Sequence, residues 1–165
     1  MINILFVCHG NICRSPTAEF IMKDMVKKAG LESEFHIASA GTSTEELGNG
    51  VYPPAKRMLA AHGISCEGKR ARQINIADYE KYDYIIGMDE YNRRALNRFY
   101  NNDPEGKIFL ALDFTDEKRD VADPWYTGNF EQFCEDYALR TNSVANSCRS
   151  IFEEDYMVVG TSAII

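Results

Sequence analysis

The sequence predicts an α/β fold: a single-domain three-layer sandwich in which a central four-stranded parallel sheet carries helices on both faces. Three observations predict it. Short apolar runs of strand length alternate with longer segments of helical period. The first run, Ile2 to Val7, is almost wholly apolar and branched, as a strand buried on both sides must be. The chain's 165 residues suit one domain, long enough to bury roughly two-thirds of its unfolded surface.

After that strand comes a glycine-containing turn, then Pro16, which suits the first turn of a helix. Ala18, Ile21, Met22, Met25, Val26 and Ala29 give that helix one apolar stripe, and Gly30 stops it. Phe35 to Ser39 reads as a second strand followed by a turn at Ala40-Gly41-Thr42-Ser43. Pro53 and Pro54 open a helix carrying Ala55, Met58, Leu59 and His62, which Gly63 ends. Tyr82 to Ile86 is a third strand, Asp89 to Tyr100 a helix with Asp89 near its N-terminus, and Ile108 to Leu112 a fourth strand. From Asn129 to Phe152 the helical period persists for about six turns. No linker or repeat interrupts the chain, so residues 1–158 form the expected domain, with 159–165 a frayed tail.

A net charge of -7 opposes binding to nucleic acid or to an anionic membrane surface, both of which call for a basic face. No apolar stretch approaches a membrane span, and the N-terminus lacks the basic start and long apolar core of a signal peptide. The five cysteines (Cys8, Cys13, Cys66, Cys134 and Cys148) are scattered and odd in number, which predicts reduced thiols in a cytoplasmic protein. Without a CxxC pair or ligand-spaced histidines, no metal is expected. A monomer is the default expectation.

The chemistry concentrates in Cys8-His9-Gly10-Asn11-Ile12-Cys13-Arg14-Ser15, between the first strand and the first helix. Ligands of parallel sheets bind at that strand end. Loop N–H groups there form a nest for an oxyanion, reinforced by the positive end of the helix dipole. The same nest favours the thiolate of Cys8, the nucleophilic form. Arg14 offers a planar fork for two phosphate oxygens, and Ser15 a hydroxyl for the sulfur. Gly10 gives the backbone unusual freedom, and Asn11 tolerates left-handed dihedrals while holding the loop. A cysteine after an apolar strand is commonly just a small buried residue. Strand, glycine, Arg-Ser-Pro and amphipathic helix together are far more specific, and no Lys-Ser/Thr of a nucleotide-binding loop is present. This predicts a phosphatase working through a phosphocysteine, with no cofactor, because the nest and Arg14 supply the positive charge. Further on, Asp123-Pro124 reads either as a turn or as an acid. Trp125 and Tyr126 read either as packing or as a wall for an aromatic ring.

Val7-Cys8-His9-Gly10-Asn11-Ile12-Cys13-Arg14-Ser15-Pro16 resembles the signature of the low-molecular-weight protein tyrosine phosphatases. The likeness continues through Ser39-Ala40-Gly41-Thr42, Ala71-Arg72-Gln73, Met88-Asp89-Glu90 and Asp123-Pro124-Trp125-Tyr126. The resemblance implies hydrolysis of protein phosphotyrosine, with Cys8, Arg14 and Asp123 catalytic and Asp123 the general acid and then base. It implies a phosphate loop of His9, Gly10, Asn11, Ile12, Cys13 and Ser15, with Trp125 and Tyr126 against the phenyl ring. It places Ser39 behind Asn11 and Asp89 near Arg14, although Asp89 also suits a helix N-cap. It further implies that Cys13 traps oxidised Cys8 as a reversible disulfide.

Glu19 reads as a helix-surface residue. Three places depart from the pattern. Lys69 replaces a histidine that animal members place in the support network, and Thr127 delays the glycine expected after the two aromatics. Thr44-Glu45-Glu46-Leu47 is acidic where animal members carry a gating aromatic, which favours basic residues around the phosphotyrosine. Two alternatives share the fold. Arsenate reductases relay oxidation through further cysteines, yet none falls between Cys66 and Cys134. Protein-arginine phosphatases carry Thr where this chain has Ile12 and lack the aromatic pair. An inactive phosphate-binding module is disfavoured because Cys8, Arg14 and Asp123 are all retained.

Overall fold

The computed structural model describes residues 1–114 and 119–124. Four strands, β1 (Ile2–Cys8), β2 (Phe35–Gly41), β3 (Tyr84–Gly87) and β4 (Ile108–Leu110), form one sheet in the order β2-β1-β3-β4. Every pairing is parallel. Helices α1 (Arg14–Lys28), α2 (Pro53–Ala61), α3 (Ile76–Lys81) and α4 (Glu90–Phe99) complete the described elements.

Strand β1 occupies the middle, and its alternation builds the layers. Ile4, Phe6 and Cys8 point to one face, where they meet Ala18, Met22 and Val26 of α1 and Ala55 and Leu59 of α2. Leu5 and Val7 point to the other, against Tyr79, Tyr82, Leu96 and Tyr100 around α3 and α4. Both faces are therefore apolar, which is why β1 reads as a continuous hydrophobic run. The sandwich expected from the sequence is the one formed.

The order β2-β1-β3-β4 reverses direction between β1 and β3, so the chain ends leaving these strands diverge and open a crevice. The loop after β1, the Met88-Asp89 turn after β3 and the segment after β4 all face that crevice. Among the described residues, no helix is long and apolar enough to cross a membrane.

Several boundaries differ from expectation. β2 runs on through Ala40 and Gly41, because Gly41 pairs with Cys8 in register and its N–H donates to the Arg72 carbonyl at 2.8 Å. β3 begins at Tyr84. Tyr82 instead ends α3, where it is buried, its N–H bonded to the Asp78 carbonyl at 3.0 Å. Helix α3 itself was not anticipated, although Asn75 and Asp78 close it with a capping box. β4 stops at Leu110 and turns, with the Asp113 carboxylate accepting from the Leu110 N–H at 2.8 Å. The helical period from Asn129 onward and the 159–165 tail lie outside the described residues.

Candidate active site

At the end of β1 the chain leaves the sheet at Cys8 and re-enters regular structure at Arg14. Between them the loop bends over Gly41. A Cβ placed on Gly41 would stand 2.7 Å from the His9 carbonyl oxygen and 3.1 Å from the Gly10 carbonyl carbon, so only glycine lets the loop lie this close to β2. The left-handed turn falls on Asn11, with φ of 58°. Gly10 does not take a positive φ, and a Cβ there would stand 3.2 Å from Glu46 Cγ, a close contact that the Glu46 side chain can relieve by a small shift.

Asn11 is almost fully buried and spends its carboxamide on three partners. Its Nδ2 donates to Ser15 Oγ at 2.9 Å and Ser39 Oγ at 2.8 Å, and its Oδ1 accepts from the Arg72 N–H at 3.1 Å. One side chain thus ties the loop to the start of α1, to β2 and to the segment before α3. Cys8 Sγ lies 3.1 Å from Ser15 Oγ. Because Ser15 already accepts from Asn11, its own proton is free to point to the sulfur or to the Ala40 carbonyl at 3.3 Å.

Arg14 is buried and held by three acceptors. Nη1 donates to Asp89 Oδ2 at 2.6 Å and to the Val121 carbonyl at 3.0 Å, and Nη2 donates to Asp123 Oδ2 at 2.7 Å. Burial works against its charge, but Cys8, Asp123 and Asp89 outweigh that and raise its pKa further. Asp89 carries two duties at once: its other oxygen, Oδ1, caps α4 by accepting from the Asn92 N–H at 2.7 Å. Three chain ends therefore meet at one guanidinium.

Cys8, His9, Gly10, Ile12, Cys13, Arg14 and Asp123 line one cleft together with Glu45, Glu46, Tyr52 and Pro124. Cys13 is also the N-cap position of α1. Of the expected residues, Asn11, Ser15 and Ser39 lie beneath the loop as supports, and Asp89 lies behind Arg14. Trp125 and Tyr126 fall outside the described residues. The Thr44–Leu47 loop does bring acid to the rim: Glu45 Oε2 is 3.0 Å from His9 Nε2.

Two functional neighbours were missed by sequence reasoning. Glu19 is not on the surface. It is buried, with Oε2 accepting from Ser39 Oγ at 2.5 Å and from Lys69 Nζ at 2.8 Å, while Oε1 takes Lys23 Nζ at 2.5 Å. Burial pushes its carboxyl pKa up, and Lys69, Lys23 and Ser39 together pull it below the ordinary value. Lys69 also donates to the Ser39 carbonyl at 3.1 Å. Burial lowers the Lys69 pKa despite the neighbouring carboxylate. The other is Tyr52, whose N–H donates to the Ile12 carbonyl at 2.7 Å and whose side chain lines the cleft. Tyr52 stands just before the Pro53-Pro54 helix start, a position that could have flagged it. For Glu19 the single available signal was its place on α1 near the loop.

The arrangement offers a buried thiol lining the cleft, a buried cation that lines it too, and a carboxylate on that cation. Known proteins similar to this chain are phosphatases. The family model described as low molecular weight phosphotyrosine protein phosphatase matches residues 3–154. A low molecular weight protein-tyrosine-phosphatase of Bacillus subtilis, YfkJ, is 42% identical over 137 residues, spanning 82% of this chain and 88% of its own. Its crystal structure superposes with a TM-score of 0.83 at 38% identity, covering 93% of this chain and 94% of that one. A structure of a Drosophila arginine phosphatase superposes with a TM-score of 0.80 at 28% identity, covering 92% and 96%.

Proposed function

We propose that this chain, which belongs to the low molecular weight phosphotyrosine protein phosphatase family, hydrolyses phosphotyrosine in proteins through a phosphocysteine on Cys8. The observation that supports this most is the convergence at Arg14: the loop after β1, the turn after β3 and the segment after β4 each bring a group to it, beside Cys8.

In this reading the phosphate enters the loop, and its oxygens take N–H groups of residues 9–14 and the Arg14 guanidinium. Asp123, bound to Arg14 Nη2 when no phosphate is there, gives up that partner and turns to the ester oxygen. Cys8 Sγ, as thiolate, attacks phosphorus; the P–O bond to the phenol breaks, and protonated Asp123 delivers its proton to the leaving oxygen. Arg14 follows the equatorial oxygens as charge spreads over them. Asp123, now a carboxylate, takes a proton from water, whose oxygen attacks the phosphocysteine. The P–S bond breaks and inorganic phosphate forms. Ser15 donates to the departing thiolate, a role suited by its 3.1 Å contact with Sγ.

Asn11, Ser39, Glu19 and Lys69 take no part in bond making. They hold the loop in the shape that aims its N–H groups inward, and Asp89 keeps Arg14 from swinging out of line. Ile12, which the arginine-phosphatase alternative replaces with Thr, lines the cleft as an apolar surface and suits a phenyl ring better than a guanidinium.

The test is phosphate release from a phosphotyrosine peptide, with Cys8→Ser as control. Turnover that vanishes in the variant is expected. A wild-type protein inert on phosphotyrosine but active on phosphoarginine would overturn the substrate assignment, and turnover surviving in Cys8→Ser would overturn the nucleophile.

A further inference from the structure

We propose that the exposed face of α4, from Tyr91 to Arg98, is a second substrate-binding surface that takes a carboxylate-rich segment of the phosphoprotein several residues from its phosphotyrosine. This rests on the phosphotyrosine reading of the cleft and adds to it a determinant of which phosphotyrosines are taken.

Tyr91, Arg94 and Arg98 stand three and four residues apart and so share one face of the helix. That face begins at the mouth of the cleft: the Tyr91 ring is 67% exposed, and its centroid lies 6.3 Å from that of His9, a cleft residue. At the other end is a shallow polar depression lined by Arg94, Asn97, Arg98, Asn101 and Asn102. Two guanidinium groups and three carboxamides line it, with no carboxylate among them. Guanidinium groups only donate, and each carboxamide adds two further N–H donors, so the wall suits anionic oxygen.

Among the described residues these arginines are lightly engaged. Arg98 has no ion pair among the described residues. The Arg94 side chain is 74% exposed and reaches Glu90 Oε1 only at 3.9 Å, while the other Glu90 oxygen is engaged by Arg93 at 2.5 Å. Asn101 and Asn102 are both left-handed, with φ of 52° and 59°, a conformation asparagine tolerates. The Asn102 N–H donates to the Asn97 carbonyl at 2.7 Å and pins this turn onto the helix end.

Charge around the mouth argues for the occupant. The chain carries a net charge of -7, so most of its surface repels acidic peptides. Glu45 and Glu46 line the cleft, and His9, which bonds Glu45, also faces the Tyr91 ring at the start of α4. An acidic segment leaving the phosphotyrosine is turned away by Glu45 and Glu46 and met by Arg94 and Arg98. Tyr91 to Arg98 spans about 10 Å of helix. An extended peptide covers that in about three residues, which places the acidic block roughly three to seven positions from the phosphotyrosine.

The experiment compares three phosphotyrosine peptides: one neutral, one with Asp and Glu at positions three to seven on the N-terminal side, and one with the same block on the C-terminal side. Steady-state kinetics are measured for wild type and for Arg94→Ala/Arg98→Ala, at low and moderate salt. In wild type, one acidic peptide should show a KM about three- to tenfold below the neutral one, with kcat unchanged. That advantage should vanish in the double variant and shrink with salt, while the neutral peptide behaves identically in both proteins. Acidic peptides that gain nothing in either orientation, or an advantage that survives the double variant, would refute the docking surface alone. A neutral phosphotyrosine peptide that wild type does not turn over refutes the cleft reading, and the docking surface with it.

Discussion

Replacing Lys69 with Met should destabilise the protein by about 2–3 kcal/mol at neutral pH, because it strands a buried carboxylate. The side chains of Glu19 and Lys69 are 4% and 12% exposed and 2.8 Å apart. Removing one member of a buried pair typically costs about 3–5 kcal/mol. Here Lys23 still faces the other oxygen at 2.5 Å and offsets part of that; its side chain is 44% exposed, so the screened help brings the cost only to the bottom of that range or just below it. The Ser39 carbonyl loses a donor as well. With a urea m-value of about 2 kcal/mol/M, the midpoint should fall by about 1 M. The pH dependence follows from the direction of the Glu19 shift. Its folded pKa is lowered, so its stabilisation is present above the unfolded value near about 4.3 and is lost as pH falls through the folded value. Without Lys69 the folded pKa rises, so the deficit should be largest at neutral pH and should narrow as the medium is acidified and Glu19 protonates. Denaturation of wild type, Glu19→Gln, Lys69→Met and the double variant closes the cycle, with a coupling above about 1 kcal/mol expected. A midpoint change under about 0.3 M, or single-variant effects that simply add, would refute the reasoning.

Three further outcomes follow from the site. Asp123→Asn should reduce kcat on an aryl phosphate with a poor leaving group by about 10²–10⁴-fold, and by much less when the leaving phenol is strongly acidic; an equal loss on both would remove the general-acid role. Ser15→Ala should slow phosphocysteine breakdown by roughly ten- to a hundredfold, the worth of about 1.5–3 kcal/mol from one hydrogen bond to a charged sulfur. Stopped-flow measurement should then show a burst of phenol before a slow steady state, and an absence of any burst would count against it. Gly41→Ala brings a Cβ within 2.7 Å of the His9 carbonyl, so the loop must shift, at about 1–3 kcal/mol. Its kcat/KM should drop more than its melting temperature suggests, and unchanged kinetics would show the loop indifferent to its contact with β2.

The parts of the site that were legible are those built from neighbours in sequence. β1 announces itself because both faces of the sheet are covered, and the eight residues from Cys8 to Ser15 carry their chemistry in order. Of the two residues that suited an unusual backbone conformation, Gly10 and Asn11, it is Asn11 that turns left-handed, and its carboxamide reaches Ser15, Ser39 and the Arg72 N–H together. Helix α3 was legible in principle, since Asn75 and Asp78 stand three residues apart as a capping box. Its six residues are too few for a period to show.

Glu19 and Lys69 were not legible, for a different reason. A glutamate on an amphipathic helix is nearly always solvated, and nothing within a turn of it is unusual. What buries it is a lysine from a segment fifty residues away, brought there by the course of the chain after α2. Seen along the sequence, Lys69 looked like a gap in a support network, where relatives place a histidine. In the fold it pairs with the buried Glu19 and donates to the Ser39 carbonyl. Those two contacts brace Ser39, and through Ser39 the Asn11 side chain that holds the phosphate loop.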